Sequence, residues 1–372
     1  MRPLPGLEGA DLESVPSPSL LVWPGRVQAN IDRMIELCGG PDRLRPHVKT
    51  HKMDAVVRLQ LEAGIDKFKA STIAEVEMCL AAGVEDVLLA YPVVGPNQDR
   101  LLQLALAHSH ARLSFLVDSV DVLRGMNAHC LAAGAELGAF VDFDCGMART
   151  GTCSVDDAVV LVEAISAANG IRFDGVHAYD GHVREPEVAA RRGTWGGAME
   201  SVQALLDALA AAGHSVPAVV GGGSPTFGFH AGERGWQCSP GTVLFWDHGY
   251  GAAYPDLPFE NAAAVLTRIV SKPGTNRLCL DLGHKSIASE GPLEKRVYLQ
   301  GLEAGRVVGH SEEHLVVEVE EPERHEVGDV LLGIPHHICP TVALYHEARL
   351  VRDGMVTEES WEVTARNRRL TV

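Results

Sequence analysis

Ser19-Leu20-Leu21-Val22-Trp23 begins the strand-and-helix unit that decides the fold, because the same unit recurs along the chain. Four of these five residues are apolar and predict a short buried strand, and apolar residues at helical spacing follow at Val27, Ile31 and Met34. Further strand-like runs, separated by alanine- and leucine-rich helical segments, lie at Leu44–Thr50, Asp66–Ala70, Asp86–Tyr91, Arg112–Val117, Leu137–Phe143, Ile171–Tyr179 and Ser215–Val220. Together the runs supply the eight strands of a closed TIM-type (β/α)₈ barrel, which regular repetition favours over an open sheet.

The pattern changes after about Asp247. The strand-like runs become short and rich in β-branched or aliphatic residues, with turn residues between them. They lie at Val265–Val270, Leu278–Leu282, Leu315–Val319, Val330–Gly333 and Trp361–Ala365. We therefore predict an α/β chain with two domains: a barrel over residues 15–247 and a mostly antiparallel β domain over residues 248–372, which residues 1–14 join.

Composition narrows the class of protein. The chain has 372 residues and a formal net charge of −17, and an acidic surface of this kind repels the backbone of nucleic acids. No window approaches the ~20 apolar residues that cross a bilayer, and the first residues do not have the pattern of a signal peptide. The eight cysteines show no CxxC pair, as is typical of reduced thiols. We expect a soluble cytoplasmic protein with neither nucleic acid nor membrane as partner.

A lysine lies at the end of the second strand-like run, in Arg45-Pro46-His47-Val48-Lys49-Thr50-His51-Lys52. The carboxyl ends of barrel strands are where active sites lie, and a partly desolvated lysine loses its proton more easily than one at the surface. Lys49 is therefore a candidate for forming an imine with a carbonyl cofactor. The alternative is a solvated basic cluster with no chemical role.

A second motif is Pro335-His336-His337-Ile338-Cys339-Pro340-Thr341. The prolines predict an extended backbone, in which residues two apart point the same way. His337 and Cys339 then form a nitrogen–sulfur pair that suits zinc or a similar divalent ion, with coordination positions left open for water or substrate. An ordinary buried histidine and thiol is the alternative interpretation.

A third motif, Gly221-Gly222-Gly223-Ser224-Pro225-Thr226, follows the last predicted barrel strand. Consecutive glycines let backbone N–H groups approach an anion, and the loops after the last two strands of a barrel often bind phosphate. A tight turn that closes the barrel is equally compatible with these residues.

Three polar side chains follow other strands. Arg149 offers a fixed fork of donors for an anionic oxygen, Tyr179 can hydrogen-bond an aromatic nitrogen, and His182 can move a proton near neutral pH. Taken singly, each also fits a capping or loop-bracing role.

Taken together, these motifs resemble the fold-type III pyridoxal-phosphate enzymes, specifically the D-threonine aldolase and D-serine dehydratase group. The match covers nearly the whole chain in family order, and the combination of the lysine motif with His337-Ile338-Cys339-Pro340-Thr341 is specific. The resemblance implies an alanine racemase-like barrel with a β domain, and a homodimer.

The resemblance also implies roles for individual residues. Lys49 would be the Schiff-base lysine, Arg149 would bond the phenolic oxygen of pyridoxal 5′-phosphate, and Tyr179 would face its pyridine nitrogen. Gly222, Gly223 and Ser224 would hold the phosphate. His337 and Cys339 would bind a divalent metal, Mn²⁺ or Zn²⁺.

The reaction is less constrained than the family. We predict a metal-dependent D-threonine aldolase that cleaves β-hydroxy-D-amino acids to glycine and an aldehyde, with Lys49 and His182 as its catalytic residues. The alternative is a dehydratase of D-serine or 3-hydroxy-D-aspartate that gives a 2-oxo acid and ammonia. The sulfur of Cys339 favours the dehydratase branch, whereas Gly223–Thr226 and Phe245–Asp247 favour the aldolase branch. A non-catalytic pyridoxal-phosphate carrier is a third hypothesis, but such carriers consist of a barrel alone, without a β domain of ~120 residues.

Overall fold

The structure is a computed structural model that describes Leu12 and residues 14–372. The described residues form ten α-helices and sixteen β-strands. The helices are α1 Pro24–Cys38, α2 Asp54–Glu62, α3 Ile73–Ala81, α4 Pro96–Ala107, α5 Val120–Ala133, α6 Val155–Ser166, α7 Val188–Ala211, α8 Phe227–Glu233, α9 His248–Ala253 and α10 Ile338–Val342. The strands are β1 Ser19–Val22, β2 Lys67–Ala70, β3 Asp86–Pro92, β4 Arg112–Val117, β5 Leu137–Asp142, β6 Ile171–Ala178, β7 Val219–Gly221, β8 Gln237–Cys238, β9 Ala263–Ser271, β10 Arg277–Leu280, β11 Val297–Gln300, β12 Arg306–His310, β13 Leu315–Glu318, β14 Val330–Pro335, β15 Glu347–Arg352 and β16 Met355–Glu362.

The chain divides into two compact units, each built from more than one segment. The barrel unit contains Met34–Lys49, Val56–Gly241 and Asn367–Val372. The β unit contains the described residues up to Arg33 together with Thr50–Ala55 and Thr242–Arg366. The domains 15–247 and 248–372, the latter joined by residues 1–14, stay a prediction, and the chain passes between the two compact units at several points. The predicted role of residues 1–14 in the β domain lies outside the described residues, apart from Leu12 and Ser14.

Seven parallel strands in the order β2 to β8 form the sheet of the barrel unit. Helices alternate with most of these strands, as expected for parallel strands joined by crossover connections. Side chains from strands on opposite sides of the barrel meet in its interior, where Leu88, Leu116, Phe140 and Val220 form an apolar cluster.

The segment from Leu44 to His47 takes the remaining strand position and closes this barrel. Leu44 pairs with Cys238 of β8, and His47 pairs with Lys69 of β2, both in parallel. The N–H of Lys69 donates to the carbonyl of Pro46, with 2.9 Å between N and O. Pro46 itself has no N–H to donate, which explains why isolated pairs form here instead of the predicted strand Leu44–Thr50.

The β unit contains a nine-stranded, mostly antiparallel sheet, and β1 lies in its middle. β1 runs antiparallel to β9 and parallel to β15, so that Leu21 is level with Ala264 and Arg349. Leu21 and Trp23 are buried in the core of this unit. The α/β fold class is confirmed, but the prediction that Ser19–Trp23 is a barrel strand is wrong. A buried parallel-type strand and a buried central strand of a mixed sheet have the same local pattern.

A β-bulge at Asp174 interrupts the regular pairing of β6 with β5, and Gly175 follows it directly. The partner of the β5 residues shifts from Phe173 to Gly175, and Gly175 has φ of +140°. A Cβ at Gly175 would lie 1.9 Å from the carbonyl oxygen of Ala218. We expect Gly175→Ala to lower the free energy of unfolding by about 3 kcal/mol or more, measured by urea denaturation.

The matched control is Gly193→Ala in the exposed face of α7. A Cβ there meets nothing within 4 Å, and the glycine has an ordinary helical backbone. We expect this substitution to raise stability by about 0.5–1 kcal/mol, since alanine favours helix. Equal stability of the two variants would contradict the argument from backbone crowding.

Among the described residues, no helix combines the length and the apolar character needed to cross a lipid bilayer.

Candidate active site

Lys49 lies in a turn at the carboxyl end of the closing segment, where barrel active sites are found. Its backbone N–H donates to Nδ1 of His47, with 3.3 Å between the nitrogens. The side chain is partly buried, and Nζ is 5.8 Å from the centre of the Tyr179 ring. His51 is buried, and its Nδ1 lies 3.1 Å from the carbonyl oxygen of Met53.

Arg149 and His182 lie with Tyr179 on the loops that follow β5 and β6. Cζ of Arg149 is 5.3 Å from the centre of the Tyr179 ring. The His182 ring packs on Gly146, where an added Cβ would lie 2.7 Å from Nε2 of His182. The structure therefore brings Lys49, Arg149 and Tyr179 to one place, and places His182 beside the loop that carries Arg149.

The glycine loop follows β7 and meets the loop that follows β8. Gly222 has φ of +75°, and an added Cβ would lie 2.8 Å from His230, so a larger residue does not fit. The hydroxyl of Ser224 accepts from the N–H of Gly241, with 3.4 Å between O and N. The N–H of Gly223 donates to Asp180 at 3.2 Å, which means that this N–H is already used inside the protein.

A buried contact between a carboxylate and a histidine supports the glycine loop. Oδ2 of Asp180 lies 2.8 Å from Nε2 of His230, and both side chains are fully buried. Burial favours the neutral acid, but the charge of His230 and the hydrogen bonds from His230, Thr226 and Gly223 hold the pKa of Asp180 below its usual value. The carboxylate thus fixes Gly223, leaving the neighbouring Gly222 and Ser224 to receive an anion.

These residues fit pyridoxal 5′-phosphate in three respects. Lys49 offers an amine, Arg149 offers a cation next to an aromatic ring, and the glycine loop approaches closely enough for a phosphate. A further observation is a buried ring nitrogen, Nε2 of His177, that has no hydrogen-bond partner among the described residues. The barrel interior therefore presents polar groups that a polar ligand can satisfy.

Sequence reasoning missed Lys69, which is buried on β2 and shares the Tyr179 ring with Lys49. Burial and the positive charge of Lys49 together lower the pKa of Lys69 to about 7. It also missed the pairing of His177 with Asp142, whose Nδ1 and Oδ1 are 2.8 Å apart. The available signal for Lys69 was a lysine within a parallel barrel strand, Lys67–Ala70.

The second group of candidate residues lies in the β unit. The prediction that Pro335–Thr341 is extended is wrong: β14 ends at Pro335, and α10 begins at Ile338 with His337 as its N-cap. Pro340 is tolerated because the first turn of a helix has no partners for its N–H groups. His337 and Cys339 nevertheless lie close enough for each to shift the pKa of the other.

Neighbouring groups shift the pKa values of His337 and Cys339. Burial opposes charge on both residues, yet the contact between them and the carboxylate of Glu290 raise the pKa of His337 to about 9. Burial likewise raises the pKa of Cys339, but the hydrogen bond and charge of His337 outweigh it and lower that pKa. Thr50 and Thr242 place their hydroxyls 3.2 and 3.6 Å from the sulfur of Cys339.

The donor chemistry of this pair fits a divalent metal. Thiolate and imidazole suit zinc, and Nδ1 of His337 lies 2.5 Å from Glu290, as when a metal-binding histidine gives its other nitrogen to a carboxylate. Glu290 is 47 residues from His337 in sequence and was not predicted. In the described part of the chain, no group of three or more His, Cys, Asp or Glu side chains is arranged to hold a metal ion. The protein would therefore supply two ligands, and water or substrate the others.

Comparison with known proteins identifies the family. The alanine racemase N-terminal domain model matches residues 24–248, and the putative serine dehydratase domain model matches residues 262–351. D-threonine aldolase from Arthrobacter sp. is 33% identical over 98% of this chain and 96% of its own length.

Two solved structures are similar over nearly the whole chain. D-threonine aldolase from Filomicrobium marinum has a TM-score of 0.87 at 29% identity, covering 95% of this chain and 97% of its own. D-threo-3-hydroxyaspartate dehydratase from Delftia sp. HT23 has a TM-score of 0.78 at 25% identity, covering 95% and 98%. A cysteine-to-alanine mutant of D-threo-3-hydroxyaspartate dehydratase is described in a metal-free form.

The fold and the matched barrel domain define the class as pyridoxal-phosphate-dependent enzymes with an alanine racemase-like barrel. Within that class, the chain belongs to the D-threonine aldolase and D-serine dehydratase family, and it is a lyase. The resemblance drawn from the motifs is thereby confirmed.

Proposed function

We propose that the protein is a metal-dependent aldolase that cleaves β-hydroxy-D-amino acids, with D-threonine as the test substrate, to glycine and an aldehyde. The observation that carries the proposal is the similarity to D-threonine aldolase, which spans both domains at 33% identity. The candidate residues support it, because an amine, a cation beside an aromatic ring and a glycine loop lie together in the barrel unit.

Pyridoxal 5′-phosphate, when bound, supplies an electron sink for the carbanion left by cleavage of the Cα–Cβ bond. Lys49 would hold the cofactor through its amine, and Arg149 would orient it through an anionic oxygen. Gly222 and Ser224 would bind its phosphate, while Gly223 is held in place by Asp180. Tyr179, whose ring lies near Lys49 and Arg149, would face the pyridine nitrogen.

A divalent metal at His337 and Cys339, manganese or zinc, supplies a Lewis acid that lowers the pKa of the β-hydroxyl group. Glu290 orients His337, and Thr50 and Thr242 hold the sulfur of Cys339. His182, whose half-buried ring lies beside Gly146, or a water molecule would accept the proton of the β-hydroxyl.

Product analysis with D-threonine tests this proposal directly. We expect equal amounts of acetaldehyde and glycine, at a rate that added Mn²⁺ or Zn²⁺ raises, and no cleavage of L-threonine. The products are quantified by chromatography after derivatisation of the aldehyde. Formation of 2-oxobutanoate and ammonia instead would contradict the aldolase assignment.

A dehydratase is the second candidate, and the thiol of Cys339 is the observation that favours it. The metal-free state described for a cysteine mutant of D-threo-3-hydroxyaspartate dehydratase supports a link between such a thiol and a metal. D-serine separates the two reactions, because an aldolase releases formaldehyde and glycine from it, whereas a dehydratase releases pyruvate and ammonia.

We further propose a homodimer in the cytoplasm. Family resemblance supports the dimer, and the free state of all eight cysteines supports a reducing compartment. Light scattering on the purified protein measures the assembly, and a monomeric mass would contradict it.

A further inference from the structure

Lys69 is a buried cation that the proposed chemistry does not use. Its side chain is 2% exposed, and its Cα is level with Leu88 of β3, whose side chain belongs to the apolar cluster inside the barrel. Nζ of Lys69 is 5.5 Å from the centre of the Tyr179 ring. The amine is thus inside the barrel, beside the residue that faces the cofactor.

None of the hydrogen bonds or ion pairs found among the described residues involves Nζ of Lys69. Two carboxylates, Asp142 and Asp180, are near enough for their charges to act on Lys69, but both form hydrogen bonds with other residues. Asp142 bonds His177 at 2.8 Å and Thr150 at 2.7 Å through its two oxygens. Asp180 is equally committed to His230 and to the N–H of Gly223.

Two further cationic side chains, Lys49 and Arg149, lie near the same Tyr179 ring as Lys69. Nζ of Lys49 lies 5.8 Å and Cζ of Arg149 lies 5.3 Å from the same ring centre. Of the three cations, Lys69 is buried, Lys49 is half-buried and Arg149 is exposed. Burial and the positive charge of Lys49 lower the pKa of Lys69 to about 7, although Asp180 and Asp142 oppose this shift. The charged and titratable groups that face Lys69 are Lys49, Asp142, Arg149, His177, Tyr179 and Asp180.

We propose that Lys69 is a second lysine of the cofactor site, and that it binds anionic pyridoxal 5′-phosphate through charge while Lys49 holds it covalently. The inference rests on the proposed function for the identity of the cofactor. It deepens that function, because the family resemblance implied one lysine and the structure places two on the same ring. Lys69 thereby affects both the affinity and the protonation of the cofactor.

The experiment compares Lys69→Met with Lys67→Met. Lys67 lies on the same strand, but it pairs with Asp66 near the surface, so its substitution removes the same charge away from the site. We expect Lys69→Met to raise the dissociation constant for pyridoxal 5′-phosphate by about tenfold or more. Lys67→Met is expected to change this constant by less than about twofold. The cofactor is titrated into cofactor-free protein and followed by its visible absorbance.

Two further measurements exclude a merely structural effect. Loss of a neighbouring positive charge favours the protonated cofactor, so the midpoint of the pH titration of its visible absorbance moves to higher pH in Lys69→Met. Lys69→Arg keeps the charge and is expected to restore most of the affinity. If Lys69→Met does not fold, as judged by circular dichroism, Lys69→Gln takes its place.

The outcomes separate this inference from the proposed function. Unchanged affinity and an unchanged titration midpoint in Lys69→Met overturn the role of Lys69. Reduction with borohydride followed by peptide mapping is expected to find the cofactor on Lys49, and labelling of Lys69 in the wild type also overturns it. Failure of the wild type to bind pyridoxal 5′-phosphate refutes the proposed function instead. If Lys69 binds the cofactor but the products are those of a dehydratase, only the assignment of the reaction as an aldolase cleavage is refuted.

Discussion

Replacing Lys49 by alanine is expected to abolish covalent attachment of the cofactor and to reduce aldolase activity by about 10³-fold or more. The amine that forms the linkage is lost, while Arg149, Tyr179 and the glycine loop remain to bind the cofactor non-covalently. Visible absorbance, borohydride trapping and the rate with D-threonine measure the effect.

Lys52→Ala is the control for Lys49→Ala. Lys52 belongs to the same motif, but its Nζ lies 3.5 Å from the carbonyl of Ala365 in the β unit, and we expect nearly normal activity. Lys69 is a second amine near the same tyrosine and could form an imine with the cofactor when Lys49 is absent. The double variant Lys49→Ala/Lys69→Met should therefore be made as well. If both lysines are removed and borohydride still traps the cofactor, the assignment of Lys49 fails.

Replacing His337 or Cys339 by alanine is expected to lower the activity with D-threonine by roughly 10²–10³-fold, since each removes one of two protein ligands of a Lewis acid. Binding of pyridoxal 5′-phosphate should persist, because its proposed ligands belong to the barrel unit. Metal content after dialysis, the visible absorbance and the rate with added Mn²⁺ or Zn²⁺ are the measurements.

Cys279→Ala is the matched control for the thiol. Cys279 is a half-buried thiol on β10, and burial raises its pKa, so it lacks the character of a metal ligand. We expect its loss to leave metal content unchanged. Full activity after treatment with a chelator would show that His337 and Cys339 do not bind a catalytic metal.

The sequence predicted the fold class, but it did not predict which strands belong to which sheet. Alternation of strands and helices depends on local spacing, so β2 to β6 were anticipated to within one residue at each end. The predicted run Ser215–Val220 shares only its last two residues with β7, and β8 was not predicted. Ser19–Trp23 was assigned to the wrong sheet, because its partners β9 and β15 are more than 240 residues away and leave no local mark. The closing segment was recognised as extended, but Pro46 interrupts its ladder.

The site was predictable where short motifs carry the chemistry. Lys49, Arg149 and Tyr179 come from three separate loops, and the barrel brings them to one ring as the resemblance implied. His337 and Cys339 share a contact for a reason other than the predicted one, since a short helix replaces the extended backbone. Lys69 and Glu290 were missed because their significance depends on burial and on a contact between distant segments, respectively.

The position of β1 has a consequence for protein synthesis. Residues 19–22 form the middle of the nine-stranded sheet, yet one partner, β15, ends only at Arg352. At ordinary ribosomal speed, on the order of 15–60 seconds separate the synthesis of these two strands. Until β9 is made, this short apolar segment has no neighbour in its sheet, and it lacks β15 for the whole interval. An unpaired strand of this kind is the condition under which nascent chains recruit chaperones or aggregate. Expression of this protein should therefore depend more on what protects its first strand than on the barrel that is made after it.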